Sequence, residues 1–141
     1  MSRYLLDTNC ISELVRPSPN NGVLEWMKAA DETLLHMSVL TLGEIRKGVA
    51  GLVQGTRRTR LETWLEVELQ DRFEGRIIPI DFQVADRWGV LTADAKKHGK
   101  TLAAVDGLLA ATALQYNLTI VSRNVSDFAN IGVQVLSPWG P

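Results

Sequence analysis

The chain has 141 residues, 45% of them apolar and 22% charged, a balance that suits one ordinary globular core and shows no low-complexity tract or internal repeat. Its net charge of −1, with a pI of about 6.1, gives no global electrostatic argument for nucleic acid and none against it, since site acids cancel peripheral Lys and Arg in the sum. No apolar run approaches the ~18 residues of a membrane span. The single cysteine, Cys10, rules out an internal disulfide and a thiolate zinc site.

From the N-terminus, Arg3 to Leu6 is a short apolar run ending at Asp7, which predicts a buried first strand. Ile11 to Val15 reads as a short helix stopped by Pro17 and Pro19, and Asn20 or Asn21 suits the cap of a second helix with Val23, Leu24 and Met27 inside. Thr33 to Met37 predicts the second strand, and Thr41 to Val49 the helix after it. Leu61, Trp64, Leu65, Leu69 and Phe73 form the clearest helical stripe. Arg76 to Ile80 predicts a third strand at an edge or a strand end, because Pro79 lacks an N–H.

A long helix is expected from Gln83 to His98, with Gly99 as its C-terminal cap. Asp106 reads as the residue that opens the next helix, which runs to Tyr116 and ends in a left-handed turn at Asn117. Thr119 to Ser122 and Val133 to Leu136 predict the last two strands. Strands separated by helices imply crossovers. The expected fold is a three-layer α/β/α domain spanning 1–141, with a mostly parallel sheet of about four or five strands.

In such sheets ligands bind beyond the carboxyl ends of the strands. Asp7 falls just past strand one, Ser122 to Asp127 just past strand four, Asp106 at a helix start and Glu44 one turn into the helix after strand two. Each has a plain structural use. Asp106 suits a cap, Glu44 could pair with Lys47 on a helix surface, and Asp127 could cap the turn before Phe128. Together they form a set of acids that repel at neutral pH unless protonated or neutralised by a cation. His36 and His98 stand without a second ligand at metal spacing, so the expected ion is hard and oxygen-bound: Mg²⁺, with Mn²⁺ as substitute.

Four blocks carry a resemblance: Leu5-Leu6-Asp7-Thr8-Asn9, Leu42-Gly43-Glu44-Ile45-Arg46-Lys47-Gly48, Asp106-Gly107-Leu108-Leu109-Ala110-Ala111-Thr112-Ala113 and Ser122-Arg123-Asn124-Val125-Ser126-Asp127-Phe128, followed by Pro138-Trp139. In this order the chain resembles the PIN-domain family and, within it, the VapC-type toxin ribonucleases of the FitB-like branch. The resemblance implies a metal site of Asp7, Glu44 and Asp106. Many members place an Asp two residues after the strand-end Ser/Thr, where this chain has Asn124, so Asn124 and Asp127 are both candidates for a fourth ligand. Asp127 also joins the catalytic acids on this reading.

Thr8 and Ser122 are expected to donate hydrogen bonds to the acids or to phosphate, and Arg46, Lys47 and Arg123 to meet substrate phosphate. Arg57, Arg58 and Arg60 are either an RNA or partner contact or a solvated face. The resemblance further implies RNA hydrolysis, inhibition by a cognate antitoxin, a homodimer, and operator DNA bound only through the antitoxin. A cytoplasmic location away from membrane is expected instead from Met1-Ser2-Arg3 leading straight into a short apolar strand, without the long apolar stretch of a signal peptide. Two rivals stand beside it. A domain phosphorylated on Asp7 would normally want a second Asp where Asn9 stands, and a non-catalytic PIN-like binding module would keep the fold alone.

Overall fold

The computed structural model describes residues 2–140. Its strands are β1 (Arg3–Leu6), β2 (Leu35–Ser38), β3 (Ile77–Ile78), β4 (Leu118–Val121) and β5 (Val135–Leu136). They make one sheet in the order β3-β2-β1-β4-β5, with every pairing parallel. The helices are α1 (Thr8–Glu13), α2 (Asn21–Ala29), α3 (Val39–Ala50), α4 (Thr56–Thr63), α5 (Leu69–Arg72), α6 (Phe82–Lys97) and α7 (Ala104–Tyr116). Among the described residues no helix is long and apolar enough to cross a membrane.

Alternation along β1 and β4 creates the three layers. Leu5 and Ile120 face a cluster with Leu109, Ala110 and Phe128, on the side of α7. Leu6 and Val121 face the opposite cluster, with Ile11 of α1, Met27 of α2, and Leu65, Leu69 and Phe73 of the rod that contains α5. Each central strand therefore buries both faces, as a doubly covered parallel sheet requires.

Local chemistry moves several expected boundaries. Asp31 accepts from the Thr33 backbone N–H at 3.0 Å, which draws Glu32–Leu34 into a 3-10 turn and starts β2 at Leu35, two residues later than expected. Ser38 then caps α3 through the Leu40 N–H at 3.0 Å, so that helix begins at Val39. Pro79 ends β3 after Ile78, at the sheet edge. The stripe from Leu61 to Phe73 is one helical rod broken by a π turn over Trp64–Glu68, a feature that apolar spacing alone does not show. Asn20 is the cap of α2, Gly99 follows α6 at φ +78°, and Asn117 closes α7 at φ 55°.

Asp106 does not open its helix as expected. That helix starts two residues earlier, at Ala104, with Ala103 as a cap that contributes no side-chain bond. Asp106 lies inside the first turn, where its charge meets the positive end of the helix dipole.

Glu13 is a buried carboxylate that no periodicity marks. It is 4% exposed, accepts from the Asn20 backbone N–H at 2.9 Å, and pairs with Arg16 at 3.1 Å. This joins the end of α1 to the cap of α2. Replacing Glu13 with Ala strands the Asn20 N–H and should cost about 1–3 kcal/mol. The expected readout is a lower urea midpoint with an unchanged slope, and an unchanged midpoint would show the bond to be idle.

Candidate active site

The register of two central strands assembles the first half of the site. Leu6 lies opposite Val121, and the Asp7 N–H donates to the Val121 carbonyl at 2.9 Å. Asp7 and Ser122 therefore leave the sheet side by side. Ser122 Oγ donates to Asp7 Oδ2 at 2.7 Å, while the Thr8 N–H donates to Asp7 Oδ1 at 2.7 Å. Both side chains are buried, Asp7 at 8% exposure.

Asn9 completes this corner, and the sequence reading missed it. Its Nδ2 donates to Ser122 Oγ at 3.2 Å and reaches Asp7 Oδ2 at 3.5 Å, while its Oδ1 accepts from the Arg123 N–H at 3.2 Å. One amide thus ties the first turn of α1 to the loop after β4. The pattern Asp-Thr-Asn was the available signal, but the partners lie more than a hundred positions away. The Asn124 N–H also donates to Ser122 Oγ, at 3.0 Å.

Glu44 comes from α3. Thr8 Oγ1 donates to Glu44 Oε1 and lies 3.4 Å from Oγ1 of the buried Thr41. Thr8 and Ser122 thus hydrogen-bond to carboxylates as expected. Glu44 is directed at Thr8, with no bond to Lys47.

Asp106 and Asp127 join through their field. Burial raises the Asp106 carboxyl above its usual range, and Asp127, Asp7 and Glu44 push it further, against a smaller opposing pull from Lys100. Burial likewise raises Asp7, with Glu44 and Asp127 adding to the shift and the Ser122 and Thr8 hydrogen bonds opposing it. Asp127 is exposed on the 3-10 turn Val125–Phe128, yet the buried Asp7 and the half-buried Asp106 both feel its charge. Of the two fourth-ligand candidates, Asp127 adds charge to the cluster, whereas Asn124 is exposed and enters it through its backbone N–H.

The donor set is entirely oxygen, carries an excess of negative charge, and so fits a hard divalent cation rather than zinc. Among the described residues no three Asp, Glu, His or Cys side chains already stand within reach of one ion. The acids share a field while remaining apart, the arrangement that uncompensated like charges favour.

The expected phosphate contacts are more dispersed. Arg46 pairs with Glu66 of the π turn at 2.7 Å, Lys47 is exposed near the end of α3, and the exposed Arg123 stacks 5.9 Å over the Trp139 ring. A groove of about 1210 Å³ runs between the α1–α2 loop and α4, past Arg16, Arg57, Arg60 and Trp64. It does not contain the acids. A smaller space of about 260 Å³ shares Val15, Arg57, Leu61 and Trp64 with it and reaches Thr8 and Glu44.

The fold and its strand-end acids define a parallel α/β domain with a carboxylate-lined site. The PIN domain family matches residues 4–133, and the chain belongs to that family. It is 42% identical over 135 residues to Toxin FitB of Neisseria gonorrhoeae, covering 96% of this chain and 97% of the relative. It is 36% identical over 137 residues to VapC ribonuclease Y4jK of Sinorhizobium fredii, covering 97% and 98%. The crystal structure of FitAcB from Neisseria gonorrhoeae superposes with a TM-score of 0.92 at 40% identity, over 98% of this chain and 99% of the other. A solved toxin–antitoxin complex is among the further structural matches.

The raised Asp106 carboxyl has a thermodynamic consequence. The folded state holds the Asp106 proton more tightly than the unfolded chain, whose value is near the ordinary 3.8. Stability from this group is therefore highest below that value and is lost as pH rises through the raised folded one. Asp106→Asn removes the charge, so the metal-free variant should melt a few degrees above the parent at neutral pH. The difference should shrink as pH falls. A melting temperature at or below the parent's at pH 7 would refute the repulsion.

Proposed function

We propose that this chain is a Mg²⁺-dependent endoribonuclease toxin of a toxin–antitoxin pair, with Asp7, Glu44, Asp106 and Asp127 as its catalytic acids. The observation that carries the proposal is the gathering of strand-end acids at one corner: Ser122 Oγ and the Thr8 N–H hold Asp7, Thr8 Oγ1 holds Glu44, and burial with the charges of Asp127, Asp7 and Glu44 raises the Asp106 carboxyl. The relatives named FitB toxin and VapC ribonuclease support the same activity.

Asp7, Glu44 and Asp106 would hold the ion, with Asp127 completing the set. A bound Mg²⁺ or Mn²⁺ supplies charge neutralisation at the phosphodiester and acidifies water for attack. The protein's own share is to hold the acids in place. Ser122 and Thr8 fix both oxygens of Asp7, Thr8 orients Glu44, and Asn9 locks the loop that carries Ser122. The exposed Lys47 would meet RNA phosphate directly and the exposed Arg123 from its place over the Trp139 ring, whereas Arg46 must first leave Glu66.

The groove past Arg16, Arg57 and Trp64 suits a cognate antitoxin segment reaching toward Glu44, because it is roomy, partly apolar and shares its wall with the space beside that acid. A homodimer, a cytoplasmic location and operator DNA reached only through the antitoxin belong to the same proposal.

The separation of the acids favours one rival, a non-catalytic binding module, which should bind Mn²⁺ poorly and leave RNA intact. Phosphorylation on Asp7 is disfavoured, since that carboxylate is buried and both oxygens accept hydrogen bonds.

Purified protein should cleave RNA with Mg²⁺ and stop with a chelator. Folded Asp7→Asn and Asp106→Asn variants should fall to the chelated level. Ser122→Ala should lose about 10–100-fold, as removal of a carboxylate's orienting partner usually does. Cleavage by Asp7→Asn at the parent rate would end the nuclease assignment.

A further inference from the structure

Asp106 sits on a turn that its own sequence does little to fix. Ala103, the N-cap of α7, offers no side-chain bond to the first turn. Packing has to locate that turn, and the neighbour that packs there is Trp88 of α6. A Cβ at Gly107 would stand 3.0 Å from Trp88 Nε1 and 3.1 Å from its Cδ1, with Leu102 Cβ at 3.7 Å on the same spot. Real Cβ atoms rarely approach ring atoms so closely.

Gly107 is buried in regular helix, with no positive φ that would require glycine. Glycine in a helix is less stable than alanine because it loses more backbone entropy on folding. The position therefore sacrifices helix stability for close approach, and that approach brings the indole edge against the backbone next to Asp106.

We infer that Trp88 and Gly107 form a positioning contact that sets where the first turn of α7 presents Asp106 to Asp7 and Asp127. Neither residue touches the acids' oxygens through a hydrogen bond. Both act through the placement of one carboxylate, and a shift of a fraction of an ångström is what a shared ion would register. The inference rests on the proposed cation site, which gives the placement of Asp106 its consequence.

The test is calorimetric titration of Mn²⁺ into the full chain, with thermal unfolding of each metal-free protein. Gly107→Ala should stay folded and bind Mn²⁺ about tenfold more weakly, in the range typical of losing a ligand-orienting partner. Trp88→Leu, which leaves the Gly107 face unsupported, should also weaken binding. In the double variant the methyl added at position 107 fills part of the space that the indole vacates, and most of the affinity should return.

A merely structural contact would lower melting temperatures while leaving the Mn²⁺ affinity of the folded protein unchanged, and that result overturns the inference. So does a double variant no better than Gly107→Ala. Should Gly107→Ala fail to fold, parent-like affinity in Trp88→Leu is sufficient to overturn it. Asp106→Asn serves as the control. If it abolishes Mn²⁺ binding while the Trp88 and Gly107 variants bind normally, only the positioning role fails. If Asp106→Asn also binds like the parent, the cation site itself fails and the inference falls with it.

Discussion

The parallel register of β1 against β4 is the constraint from which the site follows. Pairing Leu6 with Val121 brings Asp7 and Ser122, 115 positions apart, to one corner, where a 2.7 Å hydrogen bond joins them. A one-residue slip would turn every side chain of β1 to the opposite face. Leu5 and Leu6 would then exchange their two cores, and Asp7 would lose Ser122. Folding energy and site geometry are thus enforced by the same apolar alternation.

Burying Asp7 at this corner opposes stability, because desolvation raises its carboxyl and nearby acids raise it further. The hydrogen bonds from Ser122 and Thr8 offset part of that penalty. The remainder is electrostatic strain of the kind that functional sites retain and that a bound cation relieves. Asn9 contributes by tying the loop after β4 to α1 through Ser122 Oγ and the Arg123 N–H.

Much of this was legible because strand ends and helix starts leave local marks. Asp7 terminates an apolar run, Asn117 and Gly99 end helices, and Pro79 stops an edge strand. The start of α7 was misjudged because a capping residue was sought at Asp106, whereas the true cap, Ala103, has no polar side chain to advertise it. The 3-10 turn before β2 depends on an Asp31–Thr33 bond that competes with strand propensity. Asn9, Glu13 and the Trp88–Gly107 contact escaped notice for one reason: their meaning lies in partners brought near by folding. The pairing of Arg46 with Glu66 likewise needs the π turn, which leaves no period to detect.

Anomalous diffraction from crystals grown with Mn²⁺ would decide whether these acids share an ion. A single strong peak coordinated by both Asp7 and Asp106, with Glu44 or Asp127 in its sphere, is the expected result. Saturating Mn²⁺ with no peak at that corner, or a peak that Asp7 does not ligate, would contradict it.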